Sequence, residues 1–149
     1  MERVQNKLSN VTLAYNECVV VRDRLEHPRR EYDSVDIRVY QTTFIKLFEL
    51  FFEALWKLLK AYFQDVHGIK VLGSKDVLRK CVEFDLLAEP EAQVLLAAVD
   101  DRNFTVHEYS LALAGRVSQS ILKDYLPAAE KLYERSKSLL EQSGGPLAS

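Results

Sequence analysis

Phe44-Ile45-Lys46-Leu47-Phe48-Glu49-Leu50-Phe51-Phe52-Glu53-Ala54-Leu55-Trp56-Lys57-Leu58-Leu59-Lys60-Ala61-Tyr62-Phe63 is the most apolar stretch of the chain. Phe44, Leu47, Phe48, Phe51, Leu55, Leu58, Leu59 and Tyr62 recur at spacings of three and four, the period of a helix with one apolar face. Ile45, Phe52, Trp56 and Phe63 widen that face. Lys46, Glu49, Glu53, Lys57, Lys60 and Gln64 form a narrow polar strip at the same spacing. The charges within the stretch exclude an ordinary membrane span. A helix with so much apolar circumference belongs at the centre of a bundle, or also faces a second subunit. The pattern predicts a helix from about Asp36 to Val66, stopped by His67-Gly68.

Working outward, Val4, Leu8, Val11, Tyr15, Cys18 and Leu25 mark one stripe of a first helix, with Arg22 interrupting it. Pro28 ends that helix, because proline disfavours helical geometry in the residue before it. Ser74 is placed to cap a short helix through Val77, Leu78, Cys81 and Val82. Pro90 fits the first turn of the next helix, with Glu89 and Glu91 beside its positive end. Ile121, Tyr125, Ala128, Leu132 and Leu139 line a last long segment, which Pro127 must kink or divide. Residues 1–141 are expected to form one all-α domain, an antiparallel bundle of four or five helices. Residues 142–149 are expected to be a disordered tail.

Composition narrows the function. The chain has 149 residues and a formal net charge of −2, so no global basic field attracts nucleic acid. Any contact with RNA must use a local patch, and Arg22, Arg24, Arg29 and Arg30 are the candidates. Cys18 and Cys81 belong to no C-x-x-C pair, so neither zinc nor thioredoxin-like chemistry is supported. Two reduced core thiols in a cytoplasmic protein are expected. Met1 to Gln5 begins no apolar run, so no secretory signal is expected.

One segment breaks the pattern: Asp100-Asp101-Arg102-Asn103-Phe104-Thr105-Val106-His107-Glu108-Tyr109. Thr105 and Glu108 fit a capping box, with Phe104 and Tyr109 as its hydrophobic staple. On that reading Arg102 ends one helix and Thr105 starts another. His107 then lies near a positive helix end, which favours a neutral imidazole. In a continuous helix, by contrast, positions 102 and 107 lie about 140° apart around the axis. Arg102 and His107 then meet at one phosphate only if a second subunit completes the pair. Asp100 and Asp101 either repel a phosphate or hold Arg102 in place.

Arg102-Asn103, three residues, then His107-Glu108-Tyr109 resembles the signature of HEPN domains. Phe48-Glu49-Leu50-Phe51-Phe52-Glu53-Ala54-Leu55-Trp56-Lys57 resembles a helix of the small partners of minimal nucleotidyltransferases, the nucleotidyltransferase substrate-binding proteins. The likeness covers about residues 5 to 140. It implies an up-and-down four-helix bundle, here with one extra short helix, that forms a homodimer in the cytoplasm. It implies the toxin of a toxin–antitoxin pair, a metal-independent endoribonuclease without cofactor, with tRNA among its substrate types. The antitoxin is a minimal nucleotidyltransferase that adds AMP to the tyrosine of the motif. Carried onto this chain, Arg102 and His107 cleave, Asn103 and Asp101 support them, and Tyr109 accepts AMP. Glu53 and Lys57 either line the same cleft or form a helical ion pair. The alternative implied by the resemblance is a non-catalytic subunit that presents substrate to a separate nucleotidyltransferase.

Overall fold

The computed structural model describes residues 2–107 and 111–144, with side chains described for 2–101 and 112–142. Every regular element among them is helical. The order is α1 (Glu2–Glu26), α2 (Ser34–His67), α3 (Ser74–Glu83), α4 (Glu89–His107), α5 (Leu111–Ser120), a π-helical turn (Ile121–Tyr125) and α6 (Leu126–Gly144).

The ends of α2 are set by local chemistry. Asp33 accepts from the Asp36 backbone N–H at 2.8 Å, and the Asp36 carboxylate accepts from the Asp33 N–H at 3.0 Å. This reciprocal cap starts the helix at Ser34. At the other end Gly68 takes φ 66°; its N–H bonds the Gln64 carbonyl at 3.1 Å, and the Ile69 N–H bonds the Phe63 carbonyl at 3.0 Å. At α3 the expectation is corrected: Gly73 holds the cap position, Ser74 is the first helical residue, and no side chain caps the helix. At α4 the Glu91 carboxylate turns back to the Ala88 N–H at 2.8 Å, as expected of an acidic residue beside the positive end.

Side-chain pairs fix the directions. Arg3 meets Asp65 at 2.7 Å, the start of α1 against the end of α2, so these two run antiparallel. Gln5 donates to the Leu140 carbonyl, Thr12 meets Tyr133, and Arg22 meets Glu130, so α6 also runs against α1. Glu91 pairs with Arg135, so α4 runs against α6. The aromatic face of α2 fills the interior: Phe44, Phe51, Leu55, Leu58 and Phe63 are fully buried, with Val4, Val11, Val77, Leu78, Leu95 and Leu132 packed into the same core. Cys18 and Cys81 are buried free thiols, and loss of solvation pushes both up to about 12.

Pro127 acts through the residues before it. The Leu126 N–H bonds the Ile121 carbonyl, five residues back, in a π turn. Proline lacks an N–H and crowds the carbonyl four residues earlier. The wider turn accommodates that loss without breaking the rod, since Ser120 and Leu126 keep right-handed helical backbone on either side. The rod continues past the expected boundary at residue 142, because α6 reaches Gly144. No helix among the described residues is long and apolar enough to cross a membrane.

The core position of Phe51 gives a direct test. Phe51→Ala should lower the unfolding free energy by about 3–5 kcal/mol, read from the urea midpoint at constant m-value.

Candidate functional site

The expected break after Arg102 is not found. Helix α4 runs unbroken from Glu89 to His107. Position 105 therefore lies inside a helix and not at the start of one. Position 107 is thus far from the N-terminus of α4 and not in the first turn of a new helix, so that reason for a neutral imidazole lapses. Positions 102 and 107 lie about 140° apart on one helix. The side chains of Arg102, Asn103 and His107, and the whole of Tyr109, lie outside the described residues.

The described part of the motif shows what its neighbours do. Tyr125 donates its phenol O–H to the Asp101 carboxylate. Tyr125 sits in the π turn, so the irregular backbone aims the ring at the end of α4. Burial, then the bonded Asp101 carboxylate, push the Tyr125 phenol well above its usual value. Asp101 is therefore held from α5–α6, one residue before Arg102. Asp100 pairs with Lys75 of α3 at 2.8 Å. The two acidic residues are thus engaged by separate elements.

A cavity of about 150 Å³ opens beside this clasp. Phe48, Phe52, Ile121 and Val117 supply its apolar wall, and Glu49, Asp101 and Tyr125 its polar groups. Glu53 and Lys57 form the expected helical pair at 3.0 Å. Neither lines this cavity; Lys57 lines a separate groove, and Trp56 borders both. Among the arginines of the candidate basic patch, Arg22 is held by Glu130 at 3.1 Å and Asp23 at 3.5 Å, so it is not free for a phosphate. Arg24 lies 5.8 Å from the centre of the Tyr40 ring. No group of three or more His, Cys, Asp or Glu among the described residues could hold a metal.

The family described as nucleotidyltransferase substrate binding protein like matches residues 6–138. This chain belongs to that family. A crystal structure of a protein from Thermus thermophilus is similar to it, with 31% identity and a TM-score of 0.64, covering 81% of this chain and 97% of that one. A comparison with curated proteins returns no match.

Family membership covers the motif helix and the clasp together. Sequence reasoning places Tyr125 only on an apolar stripe and misses its bond to Asp101. Their 24-residue separation hides the pair, and only Pro127, two residues on, hints at irregular backbone there. Glu130 is missed as well. Arg22, out of place on an apolar stripe, is the signal that a carboxylate waits opposite; Tyr15 also donates to it.

Tyr125→Phe leaves the Asp101 carboxylate without this donor. Stability at neutral pH should fall by about 1–3 kcal/mol, at the lower end because Asp101 is only half-buried. The raised phenol also predicts an alkaline effect. Its stabilisation is complete below the unfolded value of about 10 and is lost as pH rises through the folded value. Urea titrations across that window should show a smaller alkaline loss in the variant than in the wild type.

Proposed function

We propose that this chain is the helical partner of a separate minimal nucleotidyltransferase, and that it is itself a metal-independent endoribonuclease toxin. The observation that carries the reading is the sequence Arg102-Asn103-x-x-x-His107-x-Tyr109, in a chain that the family model covers from residue 6 to 138. The finer architecture of the proposal is an up-and-down four-helix bundle of α1, α2, α4 and the α5–α6 rod, with α3 as the extra helix. The antiparallel pairs described above support it. Two chains form a cytoplasmic homodimer.

The unbroken helix makes the dimer part of the chemistry. With positions 102 and 107 about 140° apart, a phosphate is gripped by Arg102 of one chain and met by His107 of the other. The ribose 2′-oxygen attacks the adjacent phosphorus while an imidazole takes its proton. Negative charge grows on the phosphorane oxygens, and a guanidinium stabilises it. The bond to the 5′-oxygen breaks, and that oxygen takes a proton from water. The nucleophile belongs to the RNA, so no metal is needed to generate it. Asn103 orients the phosphate or His107. The Asp101–Tyr125 clasp keeps the end of α4 in register with the rod. AMP on Tyr109 adds a phosphate charge two residues from His107 and neutralises Arg102, which silences cleavage.

A second reading is a non-catalytic subunit that presents substrate to the nucleotidyltransferase. The family description and the angular separation of Arg102 and His107 within one chain favour it.

Two outcomes separate these readings. Expression of the wild type should arrest growth with RNA cleavage, and His107→Ala should do neither while keeping its helical circular dichroism. A wild type that is harmless and leaves RNA intact removes the nuclease reading. Incubation with the partner, ATP and magnesium should raise the intact mass in AMP steps, and Tyr109→Phe should stop the rise. A rise that persists in Tyr109→Phe takes that role from Tyr109.

A further inference from the structure

Away from the α4 motif, the start of α1 and the end of α2 enclose a groove of about 250 Å³. Arg3, Lys7, Lys57 and Lys60 line it, with Trp56 between them. Two of the cations are matched: Arg3 by Asp65 at 2.7 Å and Lys57 by Glu53 at 3.0 Å. Lys7 and Lys60 have no acidic partner among the described residues. Both are half-buried and line the groove. In a chain of net charge −2, this is a local reversal of sign.

Trp56 brings an aromatic ring to the groove and also borders the cavity beside Asp101. Its indole N–H is buried and has no acceptor among the described residues. Buried donors are nearly always paired in folded proteins. Lys57 sits 5.9 Å from the centre of the ring, so the indole lies among cations. Aromatic surface combined with unmatched lysines is the usual equipment for holding a nucleotide chain without reading its sequence.

We propose that this groove binds nucleotide phosphate, with the anion between Lys7 and Lys60 and Trp56 supplying an aromatic edge. None of the lining residues belongs to the α4 motif, so binding here requires no cleavage there. The phosphate can come from a free nucleotide or from the backbone of a single RNA strand.

Trp56 is the sole tryptophan, so its emission reports on the groove directly. The full-length protein is titrated with ATP and, separately, with a short 2′-O-methyl oligoribonucleotide that cannot be cut through a 2′-hydroxyl. A saturable change in emission is expected. If the strand is the source, log Kd should rise with log salt with a slope of about 1.4 for two phosphates, and ATP should bind more weakly. If a free nucleotide is the source, ATP should bind at least as tightly as the strand. In either case Lys7→Gln with Lys60→Gln should abolish the response while circular dichroism is unchanged. His107→Ala should leave the response intact, which separates this site from the cleavage reading.

The proposal is overturned if neither probe alters the emission, or if the double variant responds like the wild type. It is also overturned if an acidic peptide of equal charge shifts the emission as strongly as the oligonucleotide. A wild type that cleaves RNA yet shows no change in emission with either probe removes this inference alone.

Discussion

Burial of one face of α2 organises the molecule. Phe44, Phe51, Leu55, Leu58, Leu59 and Phe63 are withdrawn from water along a single helix, and no one neighbour is wide enough to cover them. α1 covers one flank, α3 packs near the end, and the α5–α6 rod closes the other flank. The hydrophobic term is non-directional and scales with area, so it sets which surfaces meet but not their registration. Polar pairs set that. Arg3 with Asp65, Arg22 with Glu130, and Glu91 with Arg135 each tie one level of one helix to one level of another.

The same packing determines what the α4 motif can do. A rod carrying Pro127 must deviate somewhere, and it does so in a π turn at the level of the end of α4. The deviation brings Tyr125 onto Asp101 and leaves a cavity beside them. π turns recur at functional positions because the extra residue re-aims side chains without ending the helix. Here it connects the backbone irregularity forced by a proline to the residue next to Arg102. The continuous α4 then sets the angular separation of positions 102 and 107, and with it the need for a second chain in the cleavage proposal.

Much of this is legible in the residues. The helical period places α1, α2, α3 and α4 within a few residues, and the stop at His67-Gly68 follows from the one residue that accepts a left-handed backbone without strain. The pairing of Glu53 with Lys57 follows from their spacing alone. Capping is harder to read from the residues than the helices themselves. Asp33 and Asp36 make a capping box with a short acid in the third position, and Thr105 with Glu108 has the sequence of one, yet Thr105 lies inside a helix. A capping motif competes with continued helix, and packing over the whole length of α4 decides between them.

By itself, then, the amino-acid order determined the all-helical class, the central place of α2, the stops at Pro28 and Gly68, and the motif on which the proposed function rests. These rest on interactions between residues a few positions apart, which leave a period or a spacing behind. The tertiary structure decided that α4 stays whole, that Asp101 belongs to Tyr125, that Arg22 belongs to Glu130, and that Trp56 stands between a cavity and a basic groove. Those arrangements join residues dozens of positions apart. They follow from how helices slide and rotate to bury one aromatic face, and no local pattern records that balance.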